Sequence, residues 1–185
     1  MCNEFAQERA WKAYCEMMQR EALDIITPEL PELPFTATRR PTDPALIIRA
    51  APGGVALDLM RWGIPKSGAK APLLWLQSES RRDPPSARGI VPIDMFIEHR
   101  GDKPPKAKFQ FRPATNEPLG MAVFVKDDRW AHLTTKPGPE VAPVHGRQPA
   151  LVRLTDWTRF LTEADWPADL MVPTPAGTLK AVQVR

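Results

Sequence analysis

Proline, scattered along the whole chain, sets the strongest limit on what this sequence can fold into. The 22 prolines among 185 residues mostly separate short apolar runs, twelve of them in clusters at 28–34, 84–85, 104–105, 137–143 and 173–175. Each fixes its own φ and removes a backbone donor, so it ends or kinks any helix it enters. The stretches left between them are short and rich in β-branched and aromatic residues, which predicts strands joined by loops. The prolines are spread too evenly for one disordered tract, and neither an internal repeat nor a domain boundary is visible. A single domain over residues 1–185 is expected, long enough for a sizeable core.

Residues 6–23 carry Ala6, Ala10, Tyr14, Met17, Met18 and Leu23 at three- and four-residue spacing, which predicts an opening helix that Pro28 stops. Strands are expected at 45–49 and 55–62 around a turn at Gly53-Gly54. Residues 90–99 read as one buried strand with Glu98 near its end. Further strands are expected at 108–112, 121–125, 130–134, 149–154 and 179–184, with a helix at 155–161 whose first turn holds Asp156. Trp11, Trp130, Trp157 and Trp166 read as core or helix-anchoring residues. The fold class is α+β, dominated by short strands with a few peripheral helices.

Charge and cysteine content exclude several classes. The formal net charge is +3, too small by itself to diagnose nucleic-acid binding, although Arg39-Arg40, Arg81-Arg82 and residues 103–108 are local basic concentrations. Cys2 and Cys15 do not make a disulfide framework, and Cys15 fits an amphipathic helix as a small buried hydrophobe. The three histidines and two cysteines show no metal-ligand spacing, so no metal and no cofactor are expected. No apolar stretch is long enough for a membrane span and no signal-peptide pattern opens the chain. A reducing cytoplasmic setting fits, and it keeps thiols free.

Cys2 directly follows Met1. Removal of Met1 would leave an α-amine and a thiol on adjacent carbons, an arrangement that condenses with an aldehyde into a five-membered thiazolidine ring. The amine, with a pKa near ~8, is partly neutral at physiological pH and attacks first. The thiol, read as fractionally ionised, then closes onto the same carbon. Glu98 by itself reads as a solvated or ion-paired carboxylate, and His145 as an exposed side chain in a proline-rich loop.

Read together, the segments resemble those of the SRAP family, the SOS response-associated peptidases understood as abasic-site sensors. Met1-Cys2-Asn3-Glu4-Phe5 is similar to the family's Met-Cys-Gly-Arg-Phe, and Pro41-Thr42-Asp43 to its Pro-Thr-Gln. Arg61-Trp62-Gly63-Ile64-Pro65 is similar to Arg-Trp-Gly-Leu-x-Pro, and residues 89–99 to a run in which the family's glutamate falls on Glu98. Leu133-Thr134-Thr135 matches its Leu-Thr-Thr, and residues 144–149 its Ile-His-x-Arg-Met-Pro, with the histidine on His145. The motifs keep family order over nearly the whole chain.

The resemblance implies a twisted, barrel-like sheet with the active site on one face, and covalent capture of abasic sites in single-stranded DNA through Cys2. It puts a proton shuttle on Glu98 and assistance to sugar-ring opening on His145. It also implies a monomer, associated with the nucleoid, with AP-lyase and N-terminal autopeptidase activity at family level; a Met1 leader needs only ordinary methionine removal. For the strand itself the candidates are Arg61, Arg39, Arg40, Arg147, Gln77 and Trp62. Arg147 pairs with phosphate or braces its loop, and Trp62 is either a wedge between bases or a core side chain.

The chain departs from the family pattern in three places. Gly-Arg after the cysteine is Asn3-Glu4, which puts a negative charge beside the expected DNA path. The family's Asn-Ala-Arg-Ala-Glu-Thr aligns with residues 75–80, so its asparagine falls on Trp75 and its arginine on Gln77; a two-residue shift would instead put the Gln77 amide where the asparagine belongs. Tyr-Asn ahead of Pro-Thr is replaced by Arg39-Arg40. An alternative to covalent capture is therefore a module of the same fold that binds single-stranded DNA or a repair protein without a covalent bond. A thiol peptidase acting on other proteins is a third reading, for which no oxyanion-hole motif is legible.

Overall fold

Twelve strands and two α-helices form among the described residues, which in this computed structural model are 2–9, 11–21, 24–26 and 38–185, without the Trp11 side chain. The strands are β1 (Glu4–Ala6), β2 (Pro44–Ala51), β3 (Gly54–Trp62), β4 (Trp75–Gln77), β5 (Arg88–Ile93) and β6 (Met95–Arg100). They continue as β7 (Ala107–Pro113), β8 (Leu119–Lys126), β9 (Arg129–Thr135), β10 (Gln148–Pro149), β11 (Leu151–Val152) and β12 (Leu179–Gln183). The helices are α1 (Trp11–Arg20) and α2 (Trp157–Thr162).

One sheet has the order β1-β6-β7-β12. The larger runs β10-β9-β3-β2-β5-β8-β11, with β4 beside β9. Because β9 also pairs with β8, the strands β9-β3-β2-β5-β8 return on themselves as a ring. Closure of this kind leaves those strands without a free edge.

Alternation along the ring strands splits the buried side chains into two cores. Ala45, Ile47, Val91, Ile93, Met121, Val123 and Trp130 face inward, and there meet Phe5, Phe96, Phe111 and Leu179 of the smaller sheet. Leu46, Ile48, Ile90, Ala122 and Leu133 face the other way and are covered by Tyr14, Met17 and Met18 of α1 and Trp157, Phe160 and Leu161 of α2. Arg88 secures α2 from beneath, donating from its buried guanidinium to the carbonyls of Phe160 at 3.2 Å and Glu163 at 2.7 Å. Cys2 belongs to the inner core.

Several boundaries differ from the sequence expectation. The opening helix starts later, at Trp11, because Glu4 to Ala6 pair with Ile97 to Met95 as a strand. Ala10, Leu23, the prolines of 28–34 and the Trp11 side chain lie outside the described residues. The strand expected at 90–99 is two, β5 in the large sheet and β6 in the small one, broken at Asp94. The Asp94 carboxylate holds that corner, accepting from the Tyr14 hydroxyl at 2.6 Å, the Arg9 Nε at 2.6 Å and the Glu8 N–H at 2.7 Å. The strand expected at 149–154 also divides, because Ala150 donates to the Leu133 carbonyl on β9 while its own carbonyl accepts from Ala122 on β8. Strand β4 has no counterpart in the sequence reading.

Candidate active site

The pairing of β1 with β6 sets Glu4 opposite Ile97, which carries the residues ahead of Glu4 along the part of β6 that holds Glu98. Cys2 is 1% exposed, and its thiol donates to the Glu4 carbonyl at 3.4 Å. Burial, and after it the charge on Glu98, pushes the thiol up to about 12. The thiol is therefore a neutral S–H at physiological pH, which corrects the expectation of partial ionisation.

Glu98 is equally buried, and loss of hydration raises its carboxyl above the ordinary range, opposed in part by positive charge that includes His145. A carboxyl in that condition holds a proton closer to neutral pH and can both give and take one. Cys2, Glu98 and His145 are thus electrostatically coupled in sequence: thiol to carboxylate, carboxylate to imidazole.

His145 ends a tight loop in which its N–H donates to the Val141 carbonyl at 2.9 Å, and Val144 beside it packs against the inner core. Its Nδ1 lies 2.9 Å from the Arg147 carbonyl and 3.1 Å from the Arg147 N–H. If Nδ1 carries the proton and donates to that carbonyl, Nε2 is the basic nitrogen. Arg147 is fixed in turn, with a two-pronged pair to Glu79 at 2.7 and 2.8 Å and a bond to the Thr134 carbonyl at 2.6 Å. Arg147 therefore braces the His145 loop against β9.

Of the residues expected to meet the strand, two are turned inward. Trp62 is fully buried, stacked on Trp130 with ring centroids 5.2 Å apart, and its Nε1 donates to the Leu74 carbonyl at 3.1 Å. No face of its ring is open to a base, so the wedge expectation gives way to the core one. Arg39 is 4% exposed and its backbone bridges to Phe5, which takes it away from a surface phosphate role. Arg40 and Arg61 are exposed, Arg61 donating to the Thr42 carbonyl at 3.3 Å. Gln77 is exposed on β4, opposite Thr134.

Glu4 does not act as a bare negative charge. Lys108 binds both its carboxylate oxygens at 3.0 and 3.1 Å, and Arg40 lies 3.9 Å away. The three groups together carry a net positive charge, so the sign reversal at this position is compensated from β7.

Sequence reasoning missed His132. Alternation on β9 sets it on the same face as Trp130 and Thr134, toward the inner core, with its ring edge-on to Trp62 at 5.5 Å. It is fully buried and neither ring nitrogen has a hydrogen-bond partner. Burial lowers its pKa from 6.5 to about 3. In the unfolded chain the ring takes up a proton below its ordinary value while the folded ring stays neutral. Stability is therefore lost as pH falls from 6.5 toward 3, by at most ~1.4 kcal/mol per pH unit from this group. His132→Leu is expected to flatten the acid side of a thermal-melting profile; profiles that run parallel for the two proteins would contradict this.

Among the described residues no group of three or more His, Cys, Asp or Glu side chains is arranged to hold a metal ion, and no helix is long and apolar enough to cross a membrane. Clefts of about 420 Å³ beside β7 and β12, and of about 470 Å³ between residues 113–119, 151–156 and 169–178, contain none of Cys2, Glu98 and His145. A groove of about 480 Å³ follows β4 and is lined by Pro72, Leu73, Leu74, Trp75, Leu76, Gln77 and Ser80.

The family model described as SOS response associated peptidase (SRAP) matches residues 1–185. Solved structures of similar fold include a protein from Bacteroides thetaiotaomicron, 14% identical with a TM-score of 0.75, covering 100% of this chain and 92% of that one. A protein from Bordetella bronchiseptica is 18% identical with a TM-score of 0.72 and 100% coverage of both chains. A phage-related protein from the same organism is 17% identical with a TM-score of 0.73, covering 100% of this chain and 94% of its own. No curated protein matches the sequence. At these identities the solved structures establish the shared β-rich fold.

Proposed function

The chain belongs to the SOS response associated peptidase family over residues 1–185, which ties it to the response to DNA damage, and from that premise we propose that it captures abasic sites in single-stranded DNA as a thiazolidine on Cys2. The observation that carries this reading is a carboxyl with raised pKa, Glu98, buried within electrostatic reach of both the Cys2 thiol and His145. Capture of an aldehyde by an aminothiol needs a group that first donates and then accepts a proton, and a buried carboxyl of raised pKa is suited to both.

The chemistry proceeds without change of oxidation state. His145 assists opening of the cyclic sugar to its free aldehyde. The α-amine of Cys2, free once Met1 is removed, adds to the aldehyde carbon. Glu98 gives its proton to the departing hydroxyl, water leaves, and an iminium remains. The neutral thiol then adds to the iminium carbon, and its proton passes to the Glu98 carboxylate as the C–S bond forms. One water is lost in total, and Glu98 ends protonated as it began.

Strand scission of the AP-lyase type would diverge at the iminium, when elimination at the sugar outpaces thiol addition. Noncovalent binding of single-stranded DNA is the competing outcome. Two oligonucleotides separate the readings, one with an abasic aldehyde and one whose aldehyde has been reduced to the alcohol with borohydride. Covalent capture yields a denaturation-resistant adduct with the first and none with the second. Equal retention of both under native conditions, with no adduct under denaturing ones, would leave only the binding module.

A further inference from the structure

We propose that Trp75 is the surface on which a nucleobase of the bound strand stacks, the role that the buried Trp62 cannot fill. This assignment rests on the reading that single-stranded DNA is the ligand. Trp75 is 37% exposed, whereas Trp62, Trp130 and Trp157 are all buried to within 1%. An indole left in water costs hydrophobic free energy, and a base has an apolar face on either side to cover it.

Position favours a base over other occupants. In β4, Trp75 stands in register with His132 and Gln77 in register with Thr134, the residue that anchors Arg147 beside His145. Gln77 and Ser80 line the groove along β4, and Glu79 between them pairs with Arg147, two residues from His145, so a strand whose sugar reaches His145 has this groove beside it. The backbone on either side of Trp75 is pinned. The Leu74 carbonyl accepts from the Trp62 Nε1 and the His132 N–H, at 3.1 and 3.0 Å, and the Leu76 carbonyl accepts from the Thr134 hydroxyl at 3.1 Å. A platform held in this way loses little freedom when a base settles on it. Pro72 and Leu73 extend the apolar floor, and the exposed Gln77 offers an amide to base edges or the sugar.

The test uses the Cys2→Ala protein, which isolates equilibrium binding from covalent capture, and an unmodified single-stranded oligonucleotide with a fluorescent end label. Adding Trp75→Ala is expected to weaken binding by about 5- to 150-fold. Trp75→Phe is expected to restore most of it. Neither change removes a phosphate contact, so the slope of log affinity against log salt should stay as in the Cys2→Ala parent. Full affinity in the Trp75→Ala protein, or a loss accompanied by a shallower salt slope, would overturn the assignment. So would a chain that sediments as a dimer and becomes a monomer on Trp75→Ala, since the indole would then cover a second copy. If the Cys2→Ala parent does not bind the strand at all, the DNA reading falls and this assignment falls with it.

Discussion

Replacing Cys2 by alanine is expected to reduce the denaturation-resistant adduct to background. The substitution removes only the second nucleophile. An alanine at that position still presents an α-amine after methionine removal, and that amine still forms an imine with the abasic aldehyde. An imine in water is reversible, so it hydrolyses or eliminates. Ring closure by sulfur is what makes the linkage persist, and the variant is expected to be trapped only when borohydride reduces the imine. The thiol is 1% exposed within the inner core, so losing one buried sulfur costs some packing. A melting curve on the same sample separates that cost from the lost chemistry. Adduct formed without borohydride by the alanine variant would mean that another side chain makes the bond.

Glu98→Gln is expected to slow adduct formation by ~10²–10⁴-fold while leaving the fold intact. The amide keeps the shape of the carboxyl and removes an ionisable group from a buried position, so stability should be unchanged or higher. What disappears is the proton that departs with the hydroxyl and the base that receives the thiol proton. The second loss weighs heavily here, because a thiol pushed up to about 12 does not ionise by itself near neutral pH.

The pH profile carries the same signature. Burial raises the Glu98 carboxyl, so its limb of the rate profile should lie above the ordinary carboxylate range. The other limb belongs to the α-amine near ~8. In the glutamine variant the carboxyl limb should vanish and the amine limb remain. An undiminished rate in that variant would remove Glu98 from the chemistry.

Much of the scaffold was legible because its strands obey simple rules. Unbroken apolar runs at 45–48 and 121–125 mark strands buried on both faces, one toward each core, and those strands form close to the expected bounds. The break falls on Asp94, the one charged residue between Ile90 and Ile97, but its carboxylate is as buried as the apolar residues around it, and only its bonds to Tyr14 and Arg9 show that it turns the chain from one sheet to the other. Strand β4 was missed because Trp75-Leu76-Gln77 is too short to carry a period and is held by its neighbours on β9.

The candidate site divides in the same way. Cys2, Glu98 and His145 could be chosen from residue chemistry and motif order. Which tryptophan faces outward could not, since Trp62 and Trp75 both sit at strand positions and only three-dimensional packing distinguishes them. The compensation of Glu4 by Lys108 spans 104 residues and is invisible to local charge patterning. His132 gave one usable signal, a histidine inside the apolar stretch of β9 from Trp130 to Leu133.

The measurement that bears most directly on covalent capture is intact mass. The protein, with Met1 removal confirmed, is incubated without reductant with a single-stranded oligonucleotide carrying one abasic site. The expected species has the mass of protein plus oligonucleotide minus one water, survives denaturation, and is absent from the Cys2→Ala sample. A protein with a free Cys2 amine that yields only the two unreacted masses would contradict the account.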